Sequence, residues 1–575
     1  MALIILQDSE SIRCNNNFYF LNWLTFKSHQ SQNSSCNCNF VTLGENRHEW
    51  WRATLETRKT MYTQLLTASR EILASKRGYE ISFEQVEILL GHICMCLAGR
   101  IARAIAQINN VPKPIEVISS QSSFTAQRPK TSRETYDLIA SHEFGLFVES
   151  EILAIRGINA DRISLDLDFT QTSPQVQPRT NSKFLVAAYV SLQKLFSPLT
   201  RKSRFLIVSS YLGRNRETLL NLSLGQAPLL VEIGSREVQN QINSPEPAVT
   251  VPASRTLENL FCNLMEVLIP RIMLANEVDD RQLLSKKGWP ENPEVVFTSN
   301  SFDTDDYFKL LVSAVYKDCC YIVAQHGNNY GIALESTLYP ETWTADKFLS
   351  WGWTGPENVV PIGIVKPRIR ISKNRHKTGF LVILRDQFKY SLESDSDFNF
   401  ETYISRVKKF VNELSFFGLK IKIRPHSSTP LSYLLDLWGE IVDGVSVEFS
   451  DCATPLNRAL KNAFPVFTYD STGLLEFASH KIPFTAYIPD GLQNIRLEYR
   501  RNYLFLEEAG LLSENCAASV ENIGRIIDCN FDLSASQTAA LDQFCHGICF
   551  TNKRLIRDLR LSLKSSARES VVPKS

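Results

Sequence analysis

From about residue 204 onward the chain repeats one pattern, a short uninterrupted apolar run closed by a cluster of polar residues. Phe205-Leu206-Ile207-Val208 runs into Ser209-Ser210, Val295-Val296-Phe297 into Thr298-Ser299-Asn300, and Cys320-Tyr321-Ile322-Val323-Ala324 into Gln325-His326-Gly327. Pro228-Leu229-Leu230-Val231 is a further run. A strand with one wet face alternates apolar and polar side chains, so an unbroken run belongs to a strand covered on both faces. Such strands are parallel, and parallel pairing needs long connections; the periodic segments between several of the runs suit crossover helices. Beyond residue 377 the alternation is cleaner, with predicted strands at 380–384, 420–423, 445–449, 465–468 and 483–488 and the clearest helix at 400–416. That second block reads as a doubly wound α/β domain of about 160 residues.

The front of the chain is helical. Trp51, Leu55, Leu65, Ile72 and Leu73 fit one long amphipathic helix stopping at Arg77-Gly78. A second opens with Ser82 and Gln85 at capping-box spacing, carries Val86, Leu89, Ile93, Leu97 and Ile101 on one face, and ends at Asn109-Asn110-Val111-Pro112. A third is predicted from about Glu134 to Ile155, with Thr131 and Glu134 as its capping box. The first residues, Met1 to Asp8, read as a first strand or a loose end, and residues 113–132 and 170–183 as loops. The expected organisation is a helical N-terminal region at 1–200, an acceptor domain at 201–365, and a basic, proline-bearing linker at 366–377. A nucleotide-donor domain at 378–535 and a C-terminal helix and tail at 536–575 complete it.

Composition narrows the function mainly by exclusion. Of 575 residues, 62 are basic and 61 acidic, leaving a net charge of +1, so nothing global draws the chain to nucleic acid. No apolar run approaches the roughly 20 residues that span a bilayer, and the start lacks the basic segment of a signal peptide. The thirteen cysteines are scattered and show no metal-ligand spacing, which reads as reduced thiols in a cytoplasmic protein. No metal or cofactor is expected. There is no G-x-G-x-x-G, Walker loop, H-E-x-x-H or G-x-S-x-G elbow.

Ligands of open parallel sheets bind beyond the carboxyl ends of the strands, so the polar turns are the candidates. Tyr469-Asp470-Ser471-Thr472-Gly473 with Glu476 lies between an apolar run and a helical pattern. Unpaired amides and two hydroxyls there could hold an anion, or Asp470 or Ser471 could simply cap the helix. Arg424-Pro425-His426 offers a guanidinium and an imidazole to a phosphate, or a salt bridge and a turn. His326 is a candidate general base, or a ring that bonds its own loop. Gln325, Asn328, Ser299 and Asn300 cluster with it on the acceptor side, and Glu335 is a candidate to orient it or act as base. Arg385, Asp386 and Asp451 also follow strands. Trp351-Gly352-Trp353 is either a sugar-stacking platform or packing.

Taken in order, Thr298-Ser299-Asn300, Gln325-His326-Gly327 with Tyr330-Gly331, Ala345-Asp346-Lys347-Phe348 into Trp351-Gly352-Trp353, Arg424-Pro425-His426 and Tyr469-Asp470-Ser471-Thr472-Gly473 with Glu476 resemble a bacterial family of transferases linked to surface carbohydrate biosynthesis. More distantly the series is similar to GT-B CDP-glycerol glycerophosphotransferases and capsule Kdo transferases. The resemblance implies His326 as base, Arg424, His426, Ser471 and Thr472 as phosphate binders, and Glu476 as a ribose contact. Two departures stand out: Asn328 replaces a second glycine, and Tyr339-Pro340-Glu341-Thr342-Trp343 occupies the place of a Glu-His pair.

The resulting expectation is an α/β, GT-B-like chain: two Rossmann-like doubly wound domains facing a cleft, with a helical N-terminal extension. It would move a sugar or polyol-phosphate group from a nucleotide-activated donor to a carbohydrate or lipid-linked acceptor. It would need no nucleic acid and could sit peripherally at the inner membrane face. A nucleotide-sugar 2-epimerase and a non-catalytic binding protein are the competing readings.

Overall fold

The computed structural model describes residues 2–5, 17–21, 26–27, 30, 38–112, 115–121, 124–158, 160–163, 200–229, 248–274, 288–369, 377–386, 397–427, 429, 431–438, 447–449 and 454–569. Three parallel sheets organise these residues. The first holds β1 (Ala2–Ile5), β2 (Asn17–Phe20), β3 (Cys38–Phe40), β4 (Ile115–Gln121) and β5 (Ala160–Ile163) in the order β3-β2-β1-β4-β5. The N-terminal region is therefore a sheet as well as helices; β4 falls within the 113–132 stretch expected to be a loop, and β2 and β3 are too short to announce themselves.

The helices follow their end signals. α1 (Arg47–Arg77) starts at Asn46, whose side chain accepts from the amides of His48 and Glu49, and stops at Gly78 with φ 75°. α2 (Phe83–Asn110) opens on the reciprocal Ser82–Gln85 capping box. The third predicted helix is instead two, α3 (Ser132–Ala140) and α4 (His142–Ile155), because Ser141 turns extended and caps the amide of Phe144. Thr131 does cap α3, but the Glu134 carboxylate accepts from Lys130 N, so no box closes there. α2 is long and apolar enough to cross a membrane, yet 78% of its most apolar window is buried inside the protein.

The second sheet runs in chain order, β6 (Phe205–Val208), β7 (Val295–Thr298), β8 (Cys320–Ala324), β9 (Lys347–Ser350) and β10 (Val359–Pro361). α5 (Asp306–Val315) lies between β7 and β8. Alternate side chains feed two cores. Leu206, Val208, Val296, Tyr321, Val323 and Phe348 join the large core that includes α1 and α2. Phe205, Ile207, Val295, Phe297, Ile322 and Leu349 meet residues from the end of the chain. Both faces are covered, which is why these strands are apolar throughout.

The third sheet holds β11 (Gly379–Ile383), β12 (Lys420–Arg424), β13 (Val447–Phe449), β14 (Ala463–Phe467), β15 (Thr485–Tyr487) and β16 (Leu512–Ser513), ordered β13-β12-β11-β14-β15-β16. α6 (Asp397–Ser415) links β11 to β12, and α7 (Thr472–Ser479) follows β14. The strand order reverses between β11 and β14, the switch point where such sheets open a crevice for ligands. The second and third sheets face one another across a cleft in the α/β, GT-B-like arrangement that the sequence predicts.

The chain leaves the second sheet after β10, enters the third at β11, and returns with α8 (Leu555–Glu569). Leu555, Leu559, Leu563 and Ala567 of α8 sit on the second sheet. Main-chain contacts tie the two sides twice more: Phe550 N donates to Trp351 O at 3.0 Å and Ile364 N to Phe550 O at 2.9 Å, while Leu334 N donates to Asn494 O at 2.8 Å and Arg496 N to Ile332 O at 2.9 Å. Of the predicted elements, the run at 228–231 forms no strand at Pro228 and Leu229; Leu230 and Val231, the 170–183 loop, residues 370–376 of the linker and Asp451 lie outside the described residues.

Candidate functional site

A cleft of about 460 Å³ lies where the two sheets meet, lined from three directions. The second sheet supplies Asn300, His326, Asn328 and Glu335; the third supplies Arg385, His426, Asp470, Ser471 and Thr472; α1 and α2 supply Arg47, His48 and His92. The sequence reading placed nothing from the N-terminal helices at the site.

His326 stands just beyond β8. Phe302 and Tyr211 flank its ring, each with centroids 5.8 Å away, and its Nδ1 lies 3.3 Å from the Tyr330 hydroxyl. That hydroxyl donates in turn to the Glu341 carboxylate. The neighbouring Gln325 has a different job from the one expected of it. It is fully buried, its Oε1 accepts from Trp351 N at 2.8 Å and Trp353 Nε1 at 2.9 Å, and its Nε2 donates to Gly327 O at 2.7 Å. Gln325 thus bolts both tryptophans behind the site, and both indoles are buried, so Trp351-Gly352-Trp353 is packing rather than a sugar platform. Gly331 has φ +68°, and a Cβ there would lie 2.2 Å from the Trp353 ring.

The other acceptor-side residues separate. Ser299 is buried outside the cleft, its hydroxyl spent on Ser210 O at 3.0 Å. Asn300 lines the cleft, and its Oδ1 has no donor among the described residues. Asn328, which replaces the expected glycine, stitches the two domains: its amide donates to Thr472 Oγ1 at 3.0 Å and its Nδ2 to Asp470 O at 2.9 Å. Glu335 is 3% exposed; Oε1 accepts from Asn329 Nδ2 at 3.0 Å, while Oε2 is buried with no donor among the described residues. An ionised carboxylate can accept several hydrogen bonds, so an unmet buried oxygen on a cleft wall marks a place for a ligand hydrogen.

Across the cleft, β14 runs into the start of α7 at the switch point. Ser471 caps the helix, accepting from Leu474 N at 3.1 Å, and Thr472 Oγ1 accepts from Asn328. Both hydroxyls accept and so each retains a proton to give; the first amides of α7 lack helical partners. Gly473 packs close, where a Cβ would lie 3.0 Å from the Phe467 ring. Asp470 accepts from Tyr503 OH at 2.7 Å through Oδ2, and its Oδ1 has no donor among the described residues. Burial pushes the Asp470 carboxyl up to about 6, against the pull of the Tyr503 hydroxyl.

Two expected binders stand elsewhere. Arg424 is the last residue of β12, in register with Ile383, and is not among the cleft-lining residues, whereas His426 and Ser427 are. The guanidinium that the third sheet brings to the wall is that of Arg385, two residues past β11, 3% exposed and 4.6 Å over the Tyr403 ring, with Nε 3.4 Å from Asp490. Glu476 is likewise not among the cleft-lining residues: it faces Lys366, which is, at 3.5 Å, and compensates that half-buried ammonium.

Comparison with known proteins gives a family and weak structural likenesses. No curated protein matches the chain at a significant level. Among solved structures it is similar to a candidate UDP-N-acetylglucosamine 2-epimerase from Listeria monocytogenes, with 11% identity, 65% of this chain and 98% of the other covered, and a TM-score of 0.34. MurG from Acinetobacter baumannii aligns at 9% identity over 63% and 99% of the two chains with a TM-score of 0.31. O-GlcNAc transferase from Thermobaculum terrenum aligns at 12% identity over 90% and 99% with a TM-score of 0.31. None of these overlays is close enough to bear on chemistry. The profile of the LIC12162 family of transferases, however, matches residues 1–563, and the chain belongs to that family.

Proposed function

We propose that the protein moves a sugar or polyol-phosphate group from a nucleotide-activated donor to a hydroxyl of a carbohydrate or lipid-linked acceptor, in the assembly of a surface polysaccharide. The observation that carries this reading is the meeting, in one cleft, of the His326 turn from one sheet with the Asp470–Thr472 turn at the switch point of the other. Arg385, His426 and the first amides of α7 take the donor phosphates and neutralise charge that grows on them as the bond breaks. His326 removes the acceptor proton. Glu335 Oε2 and Asp470 Oδ1, acceptor atoms without donors among the described residues, take hydroxyl hydrogens of the sugar or polyol.

A thermal-shift screen of nucleoside diphosphates and their sugars tests it. A ligand at a hundredfold its Kd stabilises by about 2.7 kcal/mol, and Arg385→Ala should erase the shift. If no nucleotide raises the melting temperature, the reading falls. Release of free nucleotide with an epimerised sugar and no modified acceptor would convert it to the 2-epimerase class.

A further inference from the structure

We propose that Tyr330, Glu341 and His92 form a positioning chain that holds His326 in the one tautomer able to accept a proton from the cleft. The inference rests on the reading of His326 as the base. Its geometry is continuous: His326 Nδ1 to Tyr330 OH at 3.3 Å, Tyr330 OH to Glu341 Oε1, and Glu341 Oε2 to His92 Nε2 at 3.2 Å, the last an ion pair by distance rather than an aligned hydrogen bond.

The direction of each link follows from what each group can do. A carboxylate only accepts, so the tyrosine proton points to Glu341. The phenol oxygen then has only lone pairs left for the imidazole, so Nδ1 of His326 must carry the hydrogen. Nε2 is left bare, as a base requires. In the transfer step the acceptor oxygen forms the new bond, its proton passes to Nε2, and the bond to the nucleotide breaks with its electron pair on the leaving phosphate. The imidazolium so formed faces a phenol already polarised by a carboxylate.

The chain is built to stay put. Tyr330 and Glu341 are 4% and 3% exposed. The Tyr330 ring stacks on Phe348 with centroids 5.3 Å apart. The one-turn helix Glu341–Thr344 is pinned to α2 a second time, because Trp343 Nε1 donates to Glu87 Oε1 at 2.7 Å. His92 lies stacked on Phe302 at 5.2 Å, the ring that also flanks His326. Burial pulls the His92 pKa down, but Glu341 and Asp303 outweigh that and Lys309, so it is raised and favours the cation that pairs with Glu341. The Tyr339–Trp343 segment, a departure from the resembled pattern, thus carries the brace.

The full chain, labelled with ¹⁵N-histidine, gives the tautomer directly in long-range ¹H–¹⁵N spectra, with His326 assigned by its loss in His326→Gln. The expected wild-type form is Nδ1–H; Tyr330→Phe, which keeps the ring packing, should give a mixed population and lower kcat at least about 10-fold with the donor KM little changed. Glu341→Gln should do the same, and Tyr330→Phe stands alone if that variant fails to fold. An Nε2–H wild-type tautomer, or identical spectra and kcat in Tyr330→Phe, overturns the chain. Full turnover in His326→Ala would instead overturn the base reading and leave the tautomer measurement standing.

Discussion

The two turns that face each other across the cleft are held in opposite ways. The Asp470 turn is secured chiefly by its own helix start: Ser471 caps α7, and its side-chain partners from elsewhere are Tyr503 on the Asp470 carboxylate and Asn328 across the cleft. The His326 turn is secured at a distance, by Gln325 to Trp351 and Trp353, by Tyr330 to Glu341, and through Glu341 to α2. A strand-to-helix turn presents amides and hydroxyls by backbone geometry alone, so many sequences can build it. An imidazole with a defined tautomer needs specific side chains from several elements. The side proposed to hold the donor is thus generic in construction, and the side proposed to accept the proton is particular to this chain.

The sharpest test of that contrast is His326→Ala. Turnover should fall about 10²- to 10⁴-fold with nucleotide affinity unchanged by calorimetry; equal losses in both would merge the two sides into one site. Next comes Gln325→Ala, which orphans the buried indole of Trp353 and the amide of Trp351. It should cost roughly 3 kcal/mol in denaturant unfolding, and a loss below 1 kcal/mol would mean the His326 turn does not depend on its distant fastenings.

Asp470→Asn should act in the opposite direction. The folded carboxyl titrates at about 6 against a reference of 3.8, so between those values the folded state holds more protons than the unfolded one, and stability falls as pH rises. The asparagine variant should therefore be more stable at pH 7.5, by at most about 3 kcal/mol, with the gain gone below pH 4. A thermal scan across pH reads this, and a variant no more stable at pH 7.5 would remove the burial cost assigned to the Asp470 carboxylate. The smallest effect is Ser471→Ala, about 1 kcal/mol for a lost cap. A loss of several kcal/mol there would show that the Asp470 turn is not locally secured after all.

The same contrast explains what could be read from the sequence. Strands β6, β7, β8 and β11 were legible because both faces are covered, and the stop of α1 and the start of α2 because Gly78 and Ser82 act on neighbours in the chain. β9 and β10 were missed: Lys347-Phe348-Leu349-Ser350 starts and ends polar, and Val359-Val360-Pro361 is a short edge carrying a proline. The sequence reads both Arg385 and Arg424 as lying past a strand and favours Arg424 for its Arg-Pro-His turn; the structure separates them by where the strands end. Arg424 is still paired in β12, whereas Arg385 lies past the last pair of β11, and counting residues cannot fix that limit. Glu341 carries no local signal because its partners are 11 and 249 residues away in sequence.

The strip where Ile332, Ala333 and Leu334 lie beside Asn494, Ile495 and Arg496 is a seam sewn in main-chain atoms, with Ala333 and Ile495 forming an antiparallel bridge. Most side-chain exchanges along it leave the stitches in place, and only a change that removes an amide, such as proline at Leu334, unpicks one. Mutation can therefore redecorate the walls of the chamber while the two lobes keep the same mutual alignment.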